Sequence, residues 1–573
     1  MNCKLTVAVA LVSGLAYGNS ANFPDADGSH DVSSEAAWGG TLPSSKSLSS
    51  AFTSATGGGG TVPYNANTGD VKFYGFEIAS GSHRFDFPPA ETRTFTVGNN
   101  GVYLLATGST NVITGGKWKF NAGRFILASG NGDATDLHSS LTFAAADIQS
   151  PTVKVGFGST SHSEIVVSNT VLQATQLTVS ETADAGFNRL VLTGESTSFQ
   201  QKGSGALFGA GHDSEIVVAD RAVFTNADAD LILGAAAPGH NVLRIADGAS
   251  LVGPRQIKTT IGDSELPNDA IEVLNGGSLT AQSLLLERTD LLVSNGTVKC
   301  TVARPNLGGT SNVVTFAGAD AVLDFAGTTD WPLFGGQGGV IVVRDGATLS
   351  YEKPIYSSWS SGKKDNVLRI CRSGHFSSTS TTGLQFGYLS ADSGNRLEVV
   401  DGGTFGARKV NVGSVDQAVL VSNATFTVTG SVRLGYSSVS GVSSSGCRFE
   451  IAGATASVTV PTFQTDGDSV LHFALPESGY AGVPLCITTS FIAAETARIT
   501  VDAEAYQRTL TKKTDVVLAT LAFSATKYRT AFAALLEASN AQLAEKRLSL
   551  SSVDDQLVLT VLPPKRGLLL ILR

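Results

Sequence analysis

The chain has 573 residues, a mass of 59.1 kDa and a formal net charge of −9 at pH 7. This length exceeds one ordinary compact core, so it requires several domains or an elongated repeat architecture. The 63 glycines and a charged fraction of only 16% favour many short strands joined by small-residue turns. No run of five like charges occurs, which argues against an electrostatic track for nucleic acid.

Residues 1–18 have the features of a signal peptide. Lys4 supplies a positive charge, residues 5–12 form a short apolar stretch, and Ala16-Tyr17-Gly18 fits a cleavage site. A transmembrane anchor is the alternative, but it needs ~20 apolar residues. We therefore expect a secreted or cell-surface bacterial protein without a transmembrane span in the mature chain.

The segment that follows, residues 19–70, is rich in Ser, Ala and Gly and shows little periodicity. This composition predicts a low-complexity leader or an irregular cap. Regular strands are expected to begin at about residue 71, and the strand-rich region extends to residue 482.

An internal repeat dominates the middle of the chain. One Asn stands directly before a strand-like segment in five places: Asn188, Asn241, Asn312, Asn366 and Asn395. A turn residue follows six positions later, as at Asp247 and Asp401, and Asp345 ends a degenerate copy in the same way. Strand starts recur every 20 to 30 residues between 164 and 450.

The second and fourth residues after each Asn are apolar, which places them on one buried face of a strand. These core positions are Leu190/Leu192, Leu243/Ile245, Val314/Phe316, Leu368/Ile370 and Leu397/Val399. The recurring Asn residues are expected to stack at one corner, where their amides satisfy backbone groups and one another.

Units of this size must stack to bury their apolar faces, which predicts an all-β, parallel β-solenoid. A β-propeller is the main competing repeat, but its blades need about 40 residues and four hairpin-linked strands. Leucine-rich repeats fit worse, because no LxxLxL pattern recurs.

At these Asn-strand-turn segments the chain resembles the right-handed, pectin-lyase-like parallel β-helix proteins, and especially bacterial autotransporter passengers and adhesins. The resemblance covers about residues 70–470. It implies a right-handed coil, but it says little about activity, because that fold carries lyases, hydrolases, adhesins and passive stalks.

Residues 483–573 are predicted to form a small α+β cap. A helix is expected over 527–545, followed by a hairpin in which 557–562 pairs with 568–572 across a Pro-rich turn. The C-terminal barrel of an autotransporter is not expected in this region.

No catalytic constellation is visible, so catalytic residues are not assigned. Asp247, Asp345 and Asp401 are explained as turn residues, and Asp554-Asp555 as a solvated turn in the cap. Arg244 and Arg369 occupy the same outward-facing position of the repeat. They are interpreted as residues that keep this face soluble, with binding of acidic sugars as the alternative.

No metal or other cofactor is predicted either. His162, His212 and His240 lie in equivalent turns, where a metal-binding ladder is conceivable but solvated turns are favoured. His138, His375 and His472 are set aside as isolated. The cysteines lie at Cys3, Cys300, Cys371, Cys447 and Cys486, too sparse for a disulfide scaffold, and their pairing is left open.

The leading functional hypothesis is a non-enzymatic, exported, adhesin-like or structural β-solenoid whose faces contact extracellular glycans or surface proteins weakly. The rival is a polysaccharide lyase or glycoside hydrolase whose acids converge only in three dimensions. Three or more charged side chains meeting in a groove between residues 160 and 450 would favour the enzyme.

Overall fold

The computed structural model describes residues 21–22, 52–55, 60–63, 71–78, 80–87, 94–104, 106–120, 126–129, 135–203, 206–208, 211–227, 229–234, 239–259, 268–302, 310–325, 331–334, 336–356, 362–387, 392–436 and 444–564. The chain divides into two compact units, Met1–Gly203 and Ser204–Arg573.

The described strands of the first unit form two parallel sheets. The strands are β1 (Ala21–Asn22), β2 (Phe52–Ala55), β3 (Gly60–Pro63), β4 (Val71–Ile78), β5 (His83–Asp86), β6 (Thr94–Leu104), β7 (Thr110–Thr114), β8 (Lys117–Phe120), β9 (Ile126–Ser129), β10 (Asp136–Ala144), β11 (Asp147–Val155), β12 (Ser161–Ser168), β13 (Val171–Val179), β14 (Arg189–Thr193) and β15 (Ser198–Gln201). One sheet runs β3-β5-β7-β10-β12-β14. The other begins with β1-β2-β4-β6 and continues through β11 to β13 and β15.

The second unit contains the remaining elements. Its strands are β16 (Ala206–Phe208), β17 (Glu215–Val218), β18 (Val223–Asn226), β19 (Leu231–Leu233), β20 (Val242–Ile245), β21 (Ser250–Val252), β22 (Gln256–Thr259), β23 (Asp269–Leu274), β24 (Ser278–Ala281), β25 (Ser283–Leu285), β26 (Thr289–Ser294), β27 (Thr297–Cys300), β28 (Val313–Ala317), β29 (Val322–Phe325), β30 (Trp331–Pro332), β31 (Val340–Arg344), β32 (Thr348–Tyr351), β33 (Ile355–Tyr356), β34 (Val367–Ile370), β35 (His375–Ser378), β36 (Leu384–Phe386), β37 (Arg396–Val400), β38 (Thr404–Val412), β39 (Ala418–Ser422), β40 (Thr425–Leu434), β41 (Arg448–Ala452), β42 (Ser457–Thr465), β43 (Val470–Ala474), β44 (Leu485–Ile492), β45 (Arg498–Asp502), β46 (Thr514–Thr520), β47 (Leu548–Val553) and β48 (Gln556–Val561). Its helices are α1 (Glu504–Thr509) and α2 (Thr526–Leu543), followed by a 3₁₀ turn at Ala544–Lys546.

One parallel sheet of the second unit takes one strand from each successive coil. It runs β17-β20-β23-β26-β28-β31-β34-β37-β39-β41-β43-β45. Paired residues are separated by as few as 20 positions (Asp269 and Thr289) and as many as 30 (Ala418 and Arg448). Strand register is therefore kept while the length of the corners varies.

The core lies inside the coils, as period-2 alternation requires. The ten core positions expected from the repeat, such as Leu243 and Ile245, are at most 1% exposed. Phenylalanines extend this core along the second unit: Phe376, Phe405 and Phe426 stack with ring centroids 5.2 and 4.7 Å apart. The predicted all-β parallel β-solenoid is confirmed for each unit.

The C-terminal cap covers β45, the last strand of the parallel sheet that runs from β17 to β45. Helix α2 buries Phe532, Leu535 and Leu536, and its Ser539 Oγ accepts a hydrogen bond of 3.0 Å from the backbone N–H of Ile499 on β45. The edge of a parallel sheet is thereby covered by a helix. The predicted C-terminal helix is confirmed, at Thr526–Leu543.

The antiparallel hairpin of the cap consists of β47 and β48, which also pairs with β46. Its turn is Asp554-Asp555, where both residues have positive φ, 49° and 57°. The strand β48 thus pairs with the preceding segment β47, a pairing that was not predicted from the sequence. The expected partner, residues 568–572, and the expected signal peptide both lie outside the described residues.

Candidate functional site

The recurring Asn residues are buried. Each lies immediately before a strand of the sheet that takes one strand from each coil. In the first unit, Asn188 Oδ1 accepts the backbone N–H of Ser163 at 3.1 Å, and its Nδ2 donates to the carbonyl of Thr160 at 2.9 Å. In the second unit, Asn241 and Asn366 accept N–H groups of the preceding coil at 3.2 and 2.9 Å. These amides form hydrogen bonds with buried backbone groups that would otherwise have no hydrogen-bond partner at the corner.

Two further Asn residues of this series also form hydrogen bonds at the corner. Asn395 Oδ1 accepts from both the backbone N–H and the side-chain Nδ2 of Asn366, at 3.1 and 2.9 Å. Asn312 donates from Nδ2 to the carbonyl of Thr289 at 3.2 Å. Sequence reasoning missed two other members, Asn111 and Asp269, although Asn111-Val-Ile carries the same Asn-apolar signal.

The turn residues Asp247, Asp345 and Asp401 have φ of 55°, 56° and 48°, and each is followed by a glycine that also has positive φ. Asp tolerates this left-handed conformation better than most residues, which accounts for its presence there. Asp345 additionally lies 2.9 Å from the Arg372 guanidinium.

Charged side chains on the outer faces neutralise one another from coil to coil. Arg244 contacts Glu215 at 2.7 Å and Glu272 at 2.6 Å, and Arg369 contacts Glu398 at 2.7 Å. Arg244–Glu272 and Arg369–Glu398 join facing positions of parallel strands and Arg244–Glu215 joins diagonal ones, where opposite charges are mildly stabilising.

One charged triplet is more buried. Asp230, whose side chain is 12% exposed, contacts Arg255 at 2.9 Å and Lys258 at 2.8 Å. The hydrogen bond from Arg255 holds the pKa of Asp230 below its usual value. Three charged groups therefore converge here, but their charges are paired with one another in salt bridges.

A corner of the first unit brings together Asp136, His138, His162 and Phe187. The imidazoles of His138 and His162 stack at a centroid separation of 4.3 Å, and Phe187 stacks on His162 at 4.6 Å with an interplanar angle of 8°. All three ring-bearing residues have positive φ, between 47° and 55°. Left-handed backbone at non-glycine residues is strained and recurs at functional sites.

A β-bulge positions His138 in this stack. Between β10 and β12, Asp136 pairs with Ser161 but Ser139 pairs with Ser163, so β10 carries one extra residue at this point. The bulge is anchored by Ser139, whose Oγ donates to the carbonyl of Leu137 at 2.9 Å. Bulges of this kind redirect a side chain, here towards His162.

The carboxylate of Asp136 faces both imidazoles. Oδ2 lies 3.0 Å from Nε2 of His138 and forms a hydrogen bond, while Oδ1 lies 2.7 Å from Nδ1 of His162. This second approach lacks hydrogen-bond geometry, and Nδ1 of His162 is inaccessible to solvent without a hydrogen-bond partner. Ligand atoms of the three residues all lie within 4.8 Å of one another, an arrangement that no other His, Cys, Asp or Glu trio in the described residues shares.

This corner borders a shallow groove of about 330 Å³. Its walls are the two imidazoles, Phe187 with 49% of its surface exposed, the Glu164–Arg189 ion pair at 2.9 Å, and serine and threonine hydroxyls. The groove therefore offers aromatic surface, both signs of charge and hydroxyl groups within one shallow depression.

The second unit contains a related His corner. The carboxylate of Asp213 lies 2.8 Å from Nδ1 of His212 and 3.1 Å from Nδ1 of His240. Sequence reasoning grouped His162 with these two residues, but the structure places His162 beside His138 in the first unit. The signal that could have found His138 is the Asp-x-His-Ser segment at the start of β10.

A second, larger concavity of about 540 Å³ lies in the C-terminal cap, lined by residues including Asp502, Glu504, Gln507, Glu545 and Lys546. Cys300, Cys371 and Cys447 are buried free thiols, Cys486 is a partly exposed one, and burial raises the pKa of Cys300 to about 12. None of the described helices is both long and apolar enough to cross a membrane.

Comparison with known proteins gave no matching family model, no similar curated protein and no similar solved structure.

Proposed function

We propose that the chain is an exported, non-enzymatic β-solenoid that acts as an extracellular or cell-surface scaffold and binds glycans in the groove beside Phe187. The observation that carries the proposal is the contrast between this groove and the outer faces. The faces present charges already paired across coils, whereas the groove presents the exposed ring of Phe187 together with the exposed Thr110.

Glycan recognition fits the chemistry of the groove walls. The apolar face of a pyranose packs on aromatic rings, as Phe187 and His138 offer, and its hydroxyls exchange hydrogen bonds with carboxylate and guanidinium groups such as Glu164 and Arg189. The groove is shallow and encloses little of a ligand, so a single contact is weak. Useful affinity then comes from several contacts made by one polymeric glycan.

Two finer features belong to the same proposal. Export rests on the signal-peptide features of residues 1–18, and a right-handed, pectin-lyase-like coil related to autotransporter passengers and adhesins rests on the Asn-strand-turn repeat. Parallel pairing with one strand per coil in the long sheet is consistent with such a coil.

A polysaccharide lyase or hydrolase is the second candidate, and the Asp230–Arg255–Lys258 triplet is the observation in its favour. A general base that works near neutral pH needs a pKa close to that pH. The lowered pKa of Asp230 weakens it as a base and removes it as an acid. We therefore rank the scaffold first.

A glycan array probed with the mature chain tests the proposal. We expect binding to a subset of glycans, weakened at least fivefold by Phe187→Ala. Val313→Ala is the matched control, because Val313 is also an exposed apolar side chain, at 41%, and lies outside the groove. Absence of any glycan signal, or equal loss in both variants, would overturn glycan binding.

A degradation assay on the same polysaccharides tests the non-enzymatic part. We expect no new reducing ends and no unsaturated products. Polysaccharide degradation that is lost in Asp230→Asn would overturn the scaffold proposal and support the enzyme.

A further inference from the structure

We propose that Asp136, His138 and His162 form a binding site for a divalent transition-metal ion of the zinc type. The site shares His138 and His162 with the walls of the groove, but the inference rests on a different observation, the three ligand atoms that the corner of the first unit brings within 4.8 Å of one another.

The donor set selects the class of ion. Two imidazole nitrogens and one carboxylate oxygen suit Zn²⁺ and similar borderline ions, whereas Ca²⁺ and Mg²⁺ require six or more oxygen ligands. Three protein ligands leave further positions for water. The exposed side of the cluster supplies that opening, because the Asp136 and His138 side chains are 58% and 59% exposed.

The separations are close to those of a bound set. Ligands 2.0–2.2 Å from a tetrahedral ion lie roughly 3.3–3.6 Å apart. Oδ2 of Asp136 lies 3.0 Å from Nε2 of His138 and Oδ1 lies 2.7 Å from Nδ1 of His162, so the carboxylate must turn and move outward to place an oxygen on an ion shared by both nitrogens. Its exposure allows that movement without repacking the core.

The unsatisfied nitrogen of His162 is the second observation. Its Nδ1 is sealed from solvent and forms no hydrogen bond, although it approaches Asp136 closely. A buried polar atom without a partner is costly, and a bound ion is one of the few ways to satisfy it. Phe187 packs flat on the opposite face of the His162 ring and fixes that imidazole, so an ion shared by both nitrogens requires the more exposed His138 ring to rotate out of the stack.

The backbone supports the same interpretation. His138 and His162 both adopt positive φ, 47° and 53°, and the β-bulge that carries His138 turns it onto its neighbour. Positive φ recurs at non-glycine corner residues along the described chain, including Asp247 and Asp345, so the feature particular to this corner is the bulge that brings both imidazoles to one carboxylate.

The corner at Asp213 provides an internal comparison. It has two histidines and one carboxylate as well, but its ligand atoms do not meet the 4.8 Å condition that the first corner satisfies. We therefore expect the first corner to bind the ion and the second to bind it at least tenfold more weakly.

Isothermal titration of the full chain with Zn²⁺, after removal of metals with a chelator, tests the proposal. We expect one Zn²⁺ per chain at the strongest site and no binding heat with Ca²⁺ or Mg²⁺. His138→Gln and His162→Gln should each weaken that site at least tenfold. His240→Gln, from the second corner, is the matched control and should leave it unchanged.

Cobalt substitution distinguishes this site from the thiols. Co²⁺ at Asp136, His138 and His162 gives visible d–d bands without a thiolate-to-cobalt charge-transfer band. Unchanged circular dichroism of the His→Gln variants shows that they are folded. The proposal is overturned if the wild-type chain binds no Zn²⁺, if both His→Gln variants retain wild-type affinity, if His240→Gln abolishes binding, or if the thiolate band appears.

Discussion

Replacing Asn395 by Ala is expected to destabilise the second unit by about 1–3 kcal/mol. The side chain accepts two hydrogen bonds from Asn366 and donates one to the carbonyl of Lys363 at 3.2 Å, and Asn395 itself is fully buried. Truncation leaves the buried backbone N–H of Asn366 without its acceptor, at a cost of about 1–3 kcal/mol, whereas the Lys363 carbonyl still accepts the backbone N–H of Ser393 at 3.2 Å. The side-chain amide of Asn366 keeps its bond to the Gly336 carbonyl, which limits the loss.

Urea unfolding, followed by hydrogen exchange of peptides that contain residue 366, measures this effect. The control is Asn268→Ala, since Asn268 also donates two side-chain hydrogen bonds, to Asp290 and Ser311, but at a more accessible position. We expect the control to lose less than about 1 kcal/mol. If the two variants lost equal stability, or if exchange at residue 366 did not accelerate, the structural role assigned to the buried Asn corner would be wrong.

Three further predictions follow from packing and burial. Burial raises the pKa of Asp269, so its native state favours the protonated carboxyl and stability falls as pH rises through that pKa. Asp269→Asn keeps an acceptor for Asn241, and should stabilise the chain by roughly 1 kcal/mol at pH 7 but not at pH 3.5, by urea unfolding. Phe405→Ala removes the middle ring of the phenylalanine stack and should cost about 3–5 kcal/mol in the same assay, against about 1 for Phe405→Leu. Iodoacetamide labelling with peptide mapping should modify the partly exposed Cys486 well before the buried Cys300, and equal rates would contradict the assigned burial.

Much of the fold was predictable because its repeat is local. Each Asn and the two apolar residues after it, as in Asn241-Val-Leu-Arg-Ile, carry the corner, the buried face and the strand within five residues. Period-2 alternation then assigns Leu243 and Ile245 to the core, where they lie fully buried.

The candidate site was not predictable in the same way, because its contacts join different coils. Coils advance by between 20 and 30 residues, so no fixed period tells which side chains become neighbours. Arg244 meets Glu272, and His138 meets His162, only once the register of the sheet is known. The bulge before Ser139 adds a one-residue shift in register that the sequence pattern does not predict.

The hydrogen bond between Ile499 and Ser539 has a consequence for biosynthesis. As the second unit emerges from the ribosome, each new coil adds to the open edge of the previous one, and that edge stays adhesive until α2 has been made. A nascent chain that ends before Thr526 keeps the backbone N–H and C=O groups of this sheet edge exposed. These groups can then form β-sheet hydrogen bonds with another molecule. The final helix thus protects this sheet edge from further pairing, while β46, β48 and β47 end the neighbouring sheet.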